Sequence, residues 1–286
     1  MCARRSVSLL LLISLFHAGF LRAEPPPHHR FHIEGSGTTT VVFEAGLGDT
    51  LEVWSAVQPL VAMRCARTFS YNRAGYPGSD PASGRRDAEH IVEELRMELR
   101  RQGLTPPYIL VGHSLGGLYM QYFARNFPQE VSGLVLVDST HWNELLPLED
   151  GALRTREGST AMSDPLQRRR VVLFMTWIVR REIQDSALAG EQVRNSPYVP
   201  GLPTVVLSST RAALEETPAT RARAARRQDE IAADFPASRH IRVVGAGHYI
   251  QRDQPRVVVE AVRRLAGCET DAATLRDSSG DGEQAP

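Results

Sequence analysis

The chain has 286 residues, 42% of them hydrophobic and 7% aromatic, with 33 basic residues, every one arginine, against 33 acidic ones. That is enough apolar material for one sizeable core, and the balanced charge excludes the basic footprint of a nucleic-acid-binding protein. The absence of lysine reads as the compositional bias of a GC-rich bacterial genome and not as function.

The first 23 residues stand apart. Arg4 and Arg5 precede an apolar run from Val7 to Phe20, which ends in "LRA" before the polar "EPPPHHR". This is the layout of a secretory signal peptide cleaved after Ala23, with export to the periplasm or medium expected. The run is too short for the roughly 20 apolar residues of a spanning helix, so no stable membrane insertion is expected. Cleavage removes three arginines and no acid, leaving a net charge of −3. It also removes Cys2, leaving Cys65 and Cys268 as an even pair in an oxidising compartment, where a disulfide is expected.

From the mature start, "FHIEG" and "TTVVFEAG" read as strands joined by the turn Gly35-Ser36-Gly37, which predicts an antiparallel opening. "LEVWSAVQPLVAM" carries a helical period ending near Arg64, and "RTFSYNRAG" reads as a third strand. "DAEHIVEELRMELRRQG" is an amphipathic helix closed by Gly103. The apolar strand "YILVG", the helix "GLYMQYFARNF" and the apolar strand "SGLVLVD" follow. After a long middle come the strand "TVVLSS", the helix "RARAARRQDEIAADF", the strand "HIRVVG" and the helix "PRVVVEAVRRLA".

Strands that are apolar at every position and separated by single helices predict an α/β fold, a mainly parallel sheet covered on both faces. Residues 141–200 break the alternation. Sixty residues is far beyond an ordinary connection, and "RRRVVLFMTWIVRRE" within it suggests a helical cap over a site. The tail from Glu269 is acidic, rich in small residues and expected to be disordered. The domain expected is therefore 24–268, with a signal peptide before it and the tail 269–286 after it.

Chemistry concentrates at "YILVGHSLGGLYM". A Gly-x-Ser-x-Gly turn between an apolar strand and a helix forces the residue at its apex into a strained conformation, and presents its hydroxyl at the carboxyl edge of the sheet. Ser114 is accordingly the candidate nucleophile. The helix that follows favours negative charge at its amino terminus, making the Leu115 N–H a candidate oxyanion donor. The glycine-bearing loop "EAGLGDT" leaves another strand end, and the Leu47 N–H is the candidate second donor.

His248, in "RVVGAGHYIQRDQP", lies in a glycine-bearing loop after an apolar strand, hence at the same edge as Ser114, and is the candidate base. His113 sits inside the turn and points away from Ser114. The acid must share that edge. Asp138, at the end of "LVLVD", is the candidate, with Asp229, Glu215 and Glu216 as alternatives, because "TVVLSS" ends without a carboxylate. "HHRFH" at 28–32 has no clustered partner that would make it a metal site, so no metal or other cofactor is expected. Trp142, Trp177 and Tyr249, with Phe174 and the stretch from Met162 to Met175, are candidates for an apolar substrate pocket or for the cap's own core.

Together "HIEGSGTTTVVFEAGLGDTLEVW", "YNRAGYPGSD", "LVGHSLGGLY", "LVLVDST" and "GAGHYIQRDQP" resemble the successive landmarks of the α/β-hydrolase fold family, over residues 30 to 267. The resemblance implies a mainly parallel eight-stranded sheet, a cap after the sixth strand, no cofactor, and a small-molecule acyl substrate. It also implies the roles given to Ser114, His248, Leu47 and Leu115. Two departures stand out: Ala45-Gly46 replaces the family's frequent His-Gly, and serine and threonine occupy the end of the seventh strand, the usual place of the acid. Some members resembling haloalkane dehalogenases take the acid from the end of the sixth strand, the position of Asp138. The same resemblance puts the first and last helices on one face of the sheet and brings the ends carrying Cys65 and Cys268 toward disulfide range.

Overall fold

The computed structural model describes residues 27–63, 66–149, 152–155, 176–213 and 216–268. The expected signal peptide, the acidic tail, Cys65, Glu215 and the stretch from Met162 to Met175, Phe174 included, lie outside them.

Seven strands form the main sheet: β1 (Phe31–Glu34), β2 (Thr40–Glu44), β3 (Arg67–Tyr71), β4 (Tyr108–His113), β5 (Val131–Val137), β8 (Thr204–Ser209) and β9 (Ser238–Val243). Their order is β1-β3-β2-β4-β5-β8-β9, with β1 antiparallel and every other pairing parallel. The eighth strand implied by the family resemblance has no counterpart among the described residues.

The opening pair also differs from expectation. β1 pairs with β3, not with β2, so residues 35–39 cross over β3 and form no hairpin. All five residues of β2 are buried, and it takes parallel neighbours on both sides. Gly35 permits the crossover: with φ +81°, it leaves a Cβ position only 2.3 Å from the Ala66 carbonyl oxygen, where a side chain has no room.

Two apolar clusters show why these strands are hydrophobic throughout. Val42, Phe69, Leu110, Leu134 and Val206 face one way, against the helices α2 (Ala88–Arg101), α3 (Leu115–Asn126) and α5 (Pro218–Ala233). Val41, Phe43, Val111, Val135 and Leu207 face the other way, against α1 (Gln58–Ala62) and α7 (Pro255–Leu265). The period of two serves two cores at once.

The helix predicted over 51–63 is broken into a 3-10 turn, Leu51–Trp54, and the short α1, where Pro59 occupies the first turn. α2 begins at Asp87, whose carboxylate accepts the His90 N–H, and Gly103 follows its end with φ +66°. α1 and α7 lie on one face of the sheet, and Arg263 on α7 donates to the Leu60 carbonyl at 2.9 Å. Cys268, just past α7, is disulfide-bonded.

The segment between β5 and β8 is not wholly helical. It holds an antiparallel hairpin, β6 (Leu145–Glu149) with β7 (Ala152–Thr155), before the long helix α4 (Trp177–Arg194). A short helix, α6 (Ile250–Asp253), precedes α7. Among the described residues no helix is long and apolar enough to cross a membrane.

Candidate active site

β4 runs into α3 through Ser114, whose φ of 52° and ψ of −124° lie in a region that a residue with a side chain rarely occupies. The strained residue is pinned on both sides. Its N–H donates to the Val137 carbonyl at 3.1 Å, and its carbonyl accepts from the N–H groups of Gly117 and Thr140 at 2.9 and 3.0 Å. The glycines around it make room for different neighbours. A Cβ on Gly112 would sit 2.6 Å from the Gly117 Cα, while one on Gly116 would sit 2.4 Å from the Ala45 carbonyl oxygen. The first closeness lets strand and helix cross, and the second seats the 45–48 loop on the turn. The same loop reaches Ser114, since a Cβ on Gly46 would lie 3.3 Å from the Ser114 Cβ.

β5 ends next to this turn. Asp138, with φ 42°, is held by its own N–H, which donates to the Leu207 carbonyl at 2.7 Å. Its carboxylate takes the Ser209 N–H at 2.8 Å on Oδ1, and the Ser209 hydroxyl at 3.0 Å and His248 Nδ1 at 2.7 Å on Oδ2. The serine found where the family usually has its acid is therefore a donor to an acid from the neighbouring strand. Arg221 on α5 donates to both the Ser209 hydroxyl and the Ser209 carbonyl. The other carboxylates read as alternatives are engaged elsewhere: Asp229 pairs with Arg242 and His240, and Glu216 accepts the Ala213 N–H.

His248 enters from the loop after β9. Its backbone carbonyl accepts from His113 Nε2 at 3.0 Å, and the two imidazole rings lie 4.7 Å apart. His113 must therefore carry its proton on Nε2, because a carbonyl can only accept. Burial pushes its pKa down, and its Nδ1 lies 3.6 Å from Asp49.

The arrangement of sheet, turn and loops has close counterparts. Residues 39–174 match the family model described as alpha/beta hydrolase fold. The chain has the α/β-hydrolase fold. The chain is 34% identical over 110 residues to the uncharacterized protein YqjL of Bacillus subtilis, a match covering 38% of this chain and 43% of that one. It thus spans less than half the length of that relative. Among solved structures, a thermophilic esterase from Thermogutta terrifontis superposes with a TM-score of 0.57 at 20% identity, over 82% of this chain and 92% of the esterase. A bromoperoxidase from Bacillus anthracis superposes with a TM-score of 0.59 at 14% identity, over 85% and 97% of the two chains. At these identities the likeness is one of fold.

Within this fold the Asp138–His248 pair is electrostatically tuned. Partial burial works against a charge on His248, but the hydrogen bond and charge of Asp138, followed by the charges of Glu144 and Asp49, more than offset it and raise its pKa. Burial likewise works against the Asp138 carboxylate, and the donors His248 and Ser209 hold its pKa below the usual carboxylate value. The His248 side chain is 49% exposed and that of Asp138 only 14%.

The loop that carries Leu47 is held quite differently. Arg73, just past β3, is buried and donates to the Ala45 carbonyl at 2.7 Å and the Gly46 carbonyl at 2.9 Å. It also grips Glu44 Oε1 at 2.6 Å and both oxygens of Glu182 at 2.7 and 2.8 Å. Tyr76 donates to Glu182 at 2.8 Å and accepts the Gly48 N–H at 3.0 Å, and Tyr71 donates to Glu44. Burial disfavours the charge on Arg73, yet the two carboxylates and Tyr76 hold its pKa well above the ordinary arginine value. Burial pushes the Tyr76 phenol up to about 12. Sequence reading missed Arg73, Glu44, Glu182 and Ser209. The available signal was a charge embedded at each of two apolar strand ends, in "VVFEAG" and "YNRAG".

Of the pocket candidates, Tyr249 stands beside His248, its ring 4.9 Å from that of His113 and 5.5 Å from that of His248. Trp177 opens α4 and is exposed. Trp142 packs against the core, and its carbonyl lies 2.3 Å from the Cβ position of Gly190, so it seats α4 on the end of β5. His29, from "HHRFH", is buried with Glu98 at 3.3 Å and edge-on to Tyr71. Among the described residues no group of three or more His, Cys, Asp or Glu is placed to hold a metal ion.

Proposed function

We propose that this α/β-hydrolase is an exported serine hydrolase that cleaves a carboxylic ester or related acyl bond of a small molecule. The observation that carries the reading is the 2.7 Å bond from Asp138 to His248 Nδ1, at the sheet edge where strained Ser114 leaves β4. The Asp138 bond leaves His248 Nε2 free to act on Ser114. In this mechanism the Ser114 hydroxyl attacks the acyl carbon while His248 takes its proton, and Asp138 stabilises the imidazolium so formed. The N–H groups of Leu115 and Leu47 receive the negative oxygen. Leu115 is the first residue of α3, a position whose N–H has no partner within its own helix, and Leu47 makes no hydrogen bond to another described residue. His248 then returns its proton to the leaving alcohol, and water activated by the same imidazole releases the acyl group. The leader-like start of the sequence supports export, and the residue at the start of the mature chain tests it.

Turnover of p-nitrophenyl esters of graded chain length by the mature protein and by Ser114→Ala tests the chemistry. Loss of turnover on the order of 10⁶-fold is expected. Equal rates would overturn the reading. Labelling of the wild type by a fluorophosphonate, and its absence in Ser114→Ala, separates an enzyme from a binding protein that only keeps the fold.

A further inference from the structure

We propose that Arg73 aims and polarises the oxyanion donor at Leu47, and that Glu182 on α4 makes the insertion helix part of that device. The proposal rests on the serine-hydrolase reading and adds a positioning pair to it. The 46–47 peptide is trans and planar, so its carbonyl and N–H point in opposite directions. Arg73 holds the Gly46 carbonyl at 2.9 Å, which turns the Leu47 N–H away from the buried guanidinium. Arg73 grips the preceding Ala45 carbonyl as well, at 2.7 Å, and Tyr76 occupies the N–H of Gly48. The Leu47 N–H is left free between a fixed Gly46 carbonyl and an occupied Gly48 N–H. A charged donor on the Gly46 carbonyl also draws electron density through the peptide, making the Leu47 N–H a stronger donor.

Arg73 would be a poor clamp if it could move. Its side chain is only 2% exposed, and Glu182, fully buried, holds two of its nitrogens in a fork that fixes the plane of the guanidinium. Glu182 lies on α4, and that helix touches the loop at Gly48, whose Cβ position Val179 approaches to 3.8 Å, and the turn after Arg73 at Gly75, whose Cβ position Ile178 approaches to 2.8 Å. Removing the insertion helix would leave a buried cation with one carboxylate fewer and the loop without its outer wall. Arg73 and Glu182 touch no reacting atom in this scheme, so their effect is on the placement and strength of a donor.

The test uses the mature full chain as wild type, Arg73→Lys, Arg73→Gln, Glu182→Gln and Tyr76→Phe. Its readouts are kcat and KM on a p-nitrophenyl ester, and inhibition by a trifluoromethyl ketone, which forms a tetrahedral oxyanion, and by the carboxylate product, which does not. Loss of kcat of roughly tenfold or more is expected for Arg73→Gln and Glu182→Gln, below the 10²–10³-fold of deleting a donor outright. Ketone affinity should fall by the same factor, with KM and product affinity within about twofold, and Arg73→Lys should recover part of the loss. If Arg73→Gln does not fold by circular dichroism, Glu182→Gln and Tyr76→Phe decide. Folded variants with unchanged kcat and ketone affinity would overturn the proposal. So would parallel losses in ketone and product affinity, the mark of general disruption. A wild type that neither turns over esters nor reacts with a fluorophosphonate would instead overturn the serine-hydrolase reading beneath it.

Discussion

The two sides of Ser114 are built on opposite principles. On one side His248 is half exposed, carried by a loop and held by the hydrogen bond to Asp138 and by its own backbone carbonyl. On the other, Arg73, Glu44 and Glu182 are sealed from water and tied to one another and to the carbonyls of the 45–48 loop. The difference follows from what each side must do. A base has to change protonation state with every cycle, which needs solvent contact and a partner that stabilises the charged form without locking it. An oxyanion donor has to stay still, and fixed dipoles in a dry environment stabilise charge without reorganising.

The largest effect on this contrast should come from Asp138→Asn. The amide can still bond His248 Nδ1, but it favours the wrong tautomer and no longer stabilises the imidazolium, and kcat should fall on the order of 10⁴-fold. The pH profile adds a sign. The base works in its neutral form, so kcat/KM of the wild type should rise with pH through a midpoint above the ordinary histidine value of 6.5, because Asp138 and the nearby acids raise it. In Asp138→Asn the midpoint should move down. A midpoint that stays put would mean that Asp138 does not set the charge of His248.

Gly116→Ala strikes the rigid side. Its Cβ would meet the carbonyl oxygens of Ala45 and Glu44 at 2.4 and 2.7 Å, and backbone cannot swing aside as a side chain can. Thermal and denaturant unfolding should show a loss of roughly 1–3 kcal/mol, with kcat reduced because the loop is pushed off the turn. A variant as stable and active as the wild type would show that the loop has room.

Ser209→Ala should cost less activity than either, and about 1.5–3 kcal/mol of stability for a hydrogen bond to a charged group. The sign again discriminates. The Asp138 pKa is held down in the fold, so its stabilisation is present above the unfolded carboxylate pKa and is lost as pH falls through the lower folded value. The difference between Ser209→Ala and wild type should therefore shrink in acid. The smallest effect belongs to Asp229→Ala. That acid meets Arg242 and His240 at the surface, and its removal should leave kcat unchanged and stability within about 1 kcal/mol. A loss of activity comparable with that of Asp138→Asn would reopen the choice of acid.

What was legible in the sequence was local. Ser114 announces itself because a strained strand-to-helix turn needs glycines at fixed offsets, and "EAGLG" and "GAGHY" mark strand ends in the same way. Asp138 was legible as a strand end, and its meeting with His248 depended on which strands are neighbours. Seven of the implied eight strands could be read directly from apolar runs, yet the pairing of β1 with β3 could not, because a period of two says which face a residue takes and nothing about the partner strand.

The sequence by itself thus determined the alternation of strands and helices, the turn at Ser114 and the loop that brings His248, since each depends on residues a few positions apart. Only the tertiary structure decided that Ser209 donates to Asp138 across 71 residues and that Glu182 meets Arg73 across 109. A buried charge is tolerable only where a partner of opposite sign shares its enclosure, and the chain between those partners carries no periodicity that could announce the meeting.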